Sequence, residues 1–256
     1  MAAYILLIAG MIFLAIFLFM RDKNSSVLAI IFKTSVSLCF IAAAFAALIG
    51  RAEGISKELV SSSGLIIPGL VLGLVGDVFL DFKAYFKSLR NTYSGAQRDH
   101  DLVTYFGMVS FGLGHILYIA ALLKRIPNVS GFLLYSFLIS IAATAAIIGF
   151  SVFVMKMCFG KFIVPVISYS ILLTLFTAFT GFILVSGAGG LAVKMLFSGS
   201  LLFLLSDLIL SITYFSKSAD YERKGLMNPE SRLMISVNHI TYYAAQFTIA
   251  LSIIYL

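Results

Sequence analysis

The chain has 256 residues, of which 61% are hydrophobic and only 11% charged, with a formal net charge of +7. A soluble domain of this length needs far more polar surface, so the composition excludes one and points to an integral membrane protein. The basic surplus is scattered through short connections, which suits membrane topology and anionic lipid contact and excludes nucleic acid as a partner.

A bilayer-crossing helix needs about 20 mainly apolar residues. Stretches near residues 3–20, 28–50, 62–82, 103–123, 131–155, 161–185, 190–215 and 233–256 meet this requirement. The first has no basic n-region and no small-residue cleavage site, so it reads as a retained span and not a signal peptide. The second carries Lys33, which can either snorkel to the interface or face a polar cavity. The third carries Asp77 and the fourth His115. Pro68 and Pro165 fall near span starts. Cys39 and Cys158 lie far apart, form no C-x-x-C and read as small packing residues. The longest connections, about 83–102 and 216–232, are polar and too short for a second domain. Within the first, the run RDHD (98–101) reads as a solvated loop, because adjacent side chains do not converge easily on a metal. The expected fold is an all-α integral membrane protein, one transmembrane domain over 1–256 with about eight transmembrane helices.

Lys and Arg in short loops set orientation. Odd-numbered connections hold Arg21, Lys23, Lys83, Lys87, Arg90, Arg98, Lys156, Lys161, Lys217, Arg223, Lys224 and Arg232, whereas even-numbered ones hold Arg51, Lys57, Lys124 and Arg125. The odd connections are expected in the cytoplasm and both termini outside. The cell membrane is the expected location if the source is bacterial.

Two pairs of spans resemble each other. GLVLGLVGDVFL (69–80) aligns with GSLLFLLSDLIL (199–210), and HILYIAA (115–121) with HITYYAA (239–245). Shared Leu and Ala mean little in membrane helices, but Asp and His inside spans are scarce. Their recurrence four spans apart predicts a parallel 4+4 internal repeat, with pseudo-repeats at about 1–126 and 127–256.

An Asp at the centre of a span costs about 2.5–3.5 kcal/mol on insertion scales, so it survives facing a partner or a watered interior. Asp77 shares a face with Gly69, Gly73 and Gly76, small residues that admit a neighbouring helix or a ligand. Asp207 follows Ser206 in a similar setting. Helical spacing puts Gly107, Phe111, His115, Tyr118 and Leu122 on one stripe, and Ile235, His239, Tyr242, Gln246 and Ile249 on another. Asp81, one turn beyond Asp77, has Ser211 as its counterpart and reads as interfacial. Two carboxyl groups in different settings can divide labour, one delivering a proton and the other activating water. An alkenyl ether hydrolyses by that division through an oxocarbenium ion. The sequence lacks G-x-S-x-G, H-E-x-x-H, Walker and G-x-G-x-x-G motifs, and no metal or other cofactor is expected.

The ordered set Gly76-Asp77-x-x-Leu80, Phe111-x-x-Gly114-His115-x-x-Tyr118, Phe203-x-x-Ser206-Asp207 and Thr241-Tyr242-Tyr243-Ala244-Ala245-Gln246 resembles the YhhN-like lysoplasmalogenase family across nearly the whole chain. Lys33 resembles that family's second-span Lys, with Thr34 where Pro usually follows. The resemblance implies hydrolysis of the vinyl ether bond of lysoplasmalogens to a fatty aldehyde and glycerophosphoethanolamine or glycerophosphocholine. It makes Asp77 and Asp207 the acid/base pair and Lys33 a contact for the headgroup phosphate. Ser206, His115, Tyr118, His239, Tyr242, Tyr243 and Gln246 would line the site. The expected partners are a lysophospholipid substrate and membrane lipids. A small lipid or proton-coupled transporter and a non-catalytic membrane lipid-binding protein are the rival readings, since parallel repeats and intramembrane acids suit both.

Overall fold

The computed structural model describes residues 1–20, 27–51, 56–89, 93–126, 129–217, 220–221, 225 and 228–256. Arg21, Lys23, Arg90, Arg223 and Lys224, used above for orientation, lie outside the described residues, as does the side chain of Lys87. Among the described residues eight long helices follow one another: α1 (Ala2–Met20), α2 (Val27–Ile49), α3 (Lys57–Ser88), α4 (Ala96–Arg125), α5 (Ser130–Gly149), α6 (Ile163–Val185), α7 (Gly190–Phe215) and α8 (Arg232–Ser252). No strand occurs among the described residues. The protein is an all-α integral membrane protein.

Seven of the described helices, α1 to α7, are long and apolar enough to cross a membrane. The last, α8, has 21 residues and is long enough. It is less apolar because it carries Asn238, His239, Tyr242 and Gln246, and it buries all four. Helices α3 and α4 outrun their apolar cores. Ser56 caps α3, its hydroxyl accepting from the Leu59 amide at 3.1 Å. The helix then continues to Ser88, so Pro68 lies well inside it instead of near its start. A membrane helix tolerates such a proline because neighbours resatisfy the freed backbone group. α5 runs on through a π-helical turn at Phe150–Val154. Gly189, at φ +92°, leads into α7, and a Cβ there would sit 2.1 Å from Val193 Cγ2. No other residue fits that left-handed position without strain.

The chain divides into two compact units, Met1–Arg125 and Ile126–Leu256. In the first, α1 packs on α2, α2 on α3 and α3 on α4. In the second, α5 packs on α6, α6 on α7 and α7 on α8. The third and fourth helices make the most extensive pair in each unit. Cys39 is buried as a packing residue should be, but Cys158 is exposed in the connection before α6.

Candidate functional site

In the first unit the polar centre forms between α2 and α3. Lys33 and Ser37 are one turn apart on α2, as Asp77 and Asp81 are on α3, so each pair projects from one helix face. Ser37 Oγ donates to Asp77 Oδ2 at 3.0 Å. Lys33 Nζ lies 3.6 Å from Asp77 Oδ1 and 2.7 Å from Asp81 Oδ1. The side chains of Lys33 and Asp77 are 7% and 8% exposed and that of Asp81 18%. Lys33 is therefore a buried bridge between two carboxylates and does not snorkel. Asp81 is its nearer partner. Three charges within the bundle are tolerable because each has an opposite neighbour.

The other side of α3 faces α4. A Cβ on Gly69 would lie 2.4 Å from Tyr118 Cε1, and one on Gly76 2.6 Å from Phe111 Cε2. One on Gly114 would lie 3.0 Å from the Gly69 carbonyl oxygen. The space beside Gly69 and Gly76 is thus filled by the Tyr118 and Phe111 rings on the α4 side of the helix, with the two backbones drawn together. His115 donates from Nδ1 to the Phe111 carbonyl at 2.8 Å and meets Tyr118 edge-on, ring centroids 5.7 Å apart. A carbonyl can only accept, so Nδ1 carries a hydrogen.

In the second unit Tyr169, on α6, donates its hydroxyl hydrogen bond to Asp207 Oδ2 on α7. The neighbouring Ser206 turns to α8 instead, donating to Asn238 Oδ1 at 2.8 Å. Sequence-adjacent side chains point about 100° apart on a helix, so the two serve different neighbours. On α8, Gln246 Nε2 donates to the Tyr242 hydroxyl at 3.0 Å. Tyr242 packs on Tyr243 with centroids 4.9 Å apart and on Phe203 at 5.4 Å. Tyr243 is followed by His239 at 6.5 Å, and His239 Nδ1 donates to the Ile235 carbonyl at 2.7 Å. Gln246, Tyr242, Tyr243 and His239 thus form one buried polar and aromatic row. Ser206 joins α8, and Asp207 joins α6.

One device appears in both units: a donor on the second helix holds a carboxylate on the third. The donors are Ser37 and Lys33 for Asp77, and Tyr169 for Asp207. Sequence reading missed Ser37, Tyr169 and Asn238 because no repeat or motif pattern singled them out. The i, i+4 spacing of Ser37 from Lys33 and of Asp81 from Asp77 was the available signal.

The run at 98–101 is not a solvated loop. It lies in the first turns of α4, where His100 and Asp101 are each 8% exposed. Gln97 Nε2 donates to Asp101 Oδ1 at 2.9 Å, and His100 Nδ1 lies 3.4 Å from the same oxygen. Helical spacing turns Arg98 and Asp99 away from this pair, and their side chains are 83% and 24% exposed. Among the described residues no group of three or more His, Cys, Asp or Glu side chains could hold a metal ion.

No solved structure matches the chain. The model of the YhhN family matches residues 28–253, from the start of α2 to just beyond α8, and takes in every residue of both polar centres. The chain therefore belongs to the YhhN family.

Proposed function

We propose that this protein is an intramembrane hydrolase that cleaves the vinyl ether bond of lysoplasmalogens. The observation that carries the reading is Asp77: a carboxylate buried inside a membrane bundle and held by Ser37 and Lys33, in a member of this family. Insertion of such a group is costly, and its upkeep calls for a function.

The reaction needs one proton delivered and one removed. A carboxylic acid protonates the outer alkene carbon, and the electron pair of the double bond forms the new C–H bond. The ether oxygen shares the resulting charge as an oxocarbenium ion. A carboxylate takes a proton from water as its oxygen bonds to the ether-bearing carbon, giving a hemiacetal. The hemiacetal loses its hydroxyl proton and expels the protonated glycerol oxygen, yielding a fatty aldehyde and a glycerophosphoalcohol. Asp77, ion-paired with Lys33, suits the carboxylate that accepts a proton from water. Asp207, which accepts from the Tyr169 hydroxyl on Oδ2, is the candidate for the acid that delivers the proton. His115 and His239 are the candidates for ordering water beside the acids.

We further propose that the odd-numbered connections and the Asp81 end of α3 face the cytoplasm. The clustering of Lys and Arg in those connections supports this orientation. The test is aldehyde release by the purified protein from an alkenyl lysophospholipid, beside its saturated alkyl counterpart and an acyl lysophospholipid. Release from the alkenyl lipid alone is the expected result. Release from none of them, with proton-dependent lipid uptake into liposomes, would replace the hydrolase reading with transport.

A further inference from the structure

We propose that Asn238 is a positioning residue, whose hydrogen bond with Ser206 sets α8 in the register that brings His239 level with Asp207; this rests on the reading of the protein as a hydrolase. The two aligned helix pairs do not pack alike. In the first unit Gly69 is met by Tyr118 and Gly114. Gly69 aligns with Gly199, where a Cβ would lie 2.8 Å from Ile249 Cγ1 and 3.3 Å from the Ala245 carbonyl oxygen. Tyr118 and Gly114 align with Tyr242 and Asn238, whereas Ile249 and Ala245 lie seven positions further along α8. Ser206 shows the same displacement. Its counterpart Gly76 stands against Gly107, whose Cβ would lie 3.7 Å from the Gly76 carbonyl oxygen. Gly107 aligns with Ser231, yet Ser206 reaches Asn238, again seven positions on. Seven residues are two helical turns, about 10 Å, so α8 is displaced along α7 by that much relative to α4 on α3.

This displacement decides which histidine stands beside an acid. In the first unit the contacts of Gly69 and Gly76 place residues 106–110 of α4 opposite Asp77. His115 is five to nine positions beyond them, about 8–13 Å along the helix. In the second unit Ser206 meets Asn238, so the next residues, Asp207 and His239, share one level. Antiparallel helices turn in opposite senses when viewed from one end. The 100° steps from Ser206 to Asp207 and from Asn238 to His239 therefore lead to the same side of the pair. Tyr169 reaches Asp207 from α6 on that side. Asp207 and His239 are thus two walls of one cleft, with Cα atoms about 10 Å apart for helix axes about 8–10 Å apart. That span seats a reacting carbon and a water between carboxyl and imidazole, each contact about 3 Å. Asn238 and Ser206 are 8% and 2% exposed, so loss of their bond leaves a buried polar group unmet and loosens the register. Asn238 acts through His239 and not on the substrate.

Aldehyde release from an alkenyl lysophosphoethanolamine is measured for the full-length protein and its variants, each checked for its melting point. Asn238→Ala should lower kcat about tenfold and leave KM within about twofold, because it misplaces His239 without touching lipid binding. In a His239→Gln background the same substitution should cost less than about twofold, since the residue it positions is gone. Exchanging the pair, Ser206→Asn with Asn238→Ser, restores a hydrogen bond and should recover most of the rate. A tenfold loss in both backgrounds, or wild-type kcat in folded Asn238→Ala, would overturn the proposal. Where Asn238→Ala does not fold, Ser206→Ala removes the same bond from the smaller side chain and is read in its place. The register is also read without turnover. Ser206→Cys with Asn238→Cys should cross-link under mild oxidation. Ser206→Cys with Ser231→Cys, the pair that the first unit's register would join, should not. Cross-linking of the second pair alone refutes the register and the role of Asn238 with it, whatever the turnover. A wild type that releases no aldehyde while the first pair cross-links removes the hydrolase reading and leaves the register standing.

Discussion

Replacing Lys33 by Met tests the ion-pair centre while keeping the length and apolar stem of the side chain. At 2.7 and 3.6 Å the ammonium attracts Asp81 and Asp77 by roughly 6 and 5 kcal/mol at an effective dielectric of about 20. Burial of the three groups offsets most of this, so the pairs themselves add little to net stability. Removing one partner is different, because it leaves two carboxylates a helical turn apart with no counter-charge in that bridge. One-sided loss of a buried pair costs about 3–5 kcal/mol. For a chain of this size that is a fall of roughly 10 °C in the unfolding midpoint. Helical circular dichroism during heating in detergent micelles reads it. Adding Asp81→Asn should recover part of the loss, because one of the stranded charges disappears. A Lys33→Met protein that melts with the wild type would refute the claim that Lys33 holds the two acids.

The glycines of α3 predict opposite effects at two positions. Gly69→Ala should destabilise by about 1–3 kcal/mol, since its Cβ would press within 2.4 Å of the buried Tyr118 ring, whereas Gly64→Ala meets nothing within 4 Å and should stabilise by about 0.5–1 kcal/mol. Thermal unfolding of the two variants checks the pair. Tyr169→Phe removes the hydroxyl that donates to Asp207 with almost no change of shape. It should lower kcat about tenfold and displace the pH profile of aldehyde release while the fold persists. An unchanged profile would leave Tyr169 a packing residue.

Much of the fold was legible because bilayer spans announce themselves by length and apolarity. The helix ends were not. Expectation stopped α3 near residue 82 and began α4 near 103, yet the helices run to Ser88 and from Ala96. Hydropathy registers the membrane core, while capping and side-by-side packing carry a helix beyond it. That extension is why His100 and Asp101 are buried where a loop was expected. For the candidate site, the scarcity of Asp and Lys inside spans singled out Asp77, Asp207 and Lys33. Their partners needed three dimensions. Asp81 was set aside because its repeat counterpart is Ser211, but its register relative to Lys33 on α2 decides its role. The glycines of α3 predicted a close neighbour, and only packing shows it to be the Tyr118 and Phe111 rings of α4. Ser206 and Asp207 are adjacent in the sequence, and the 100° between neighbouring positions sends each to a different helix.

The central claim is that two carboxyl groups perform vinyl ether hydrolysis. The most direct measurement is aldehyde release from an alkenyl lysophosphoethanolamine by the purified wild type, Asp77→Asn and Asp207→Asn, each checked for its melting point. Asn preserves shape and hydrogen bonding but neither accepts nor delivers the proton. Each substitution should lower kcat by about a hundredfold or more in protein that remains folded. Wild-type rates in both folded variants would contradict the paired-acid account.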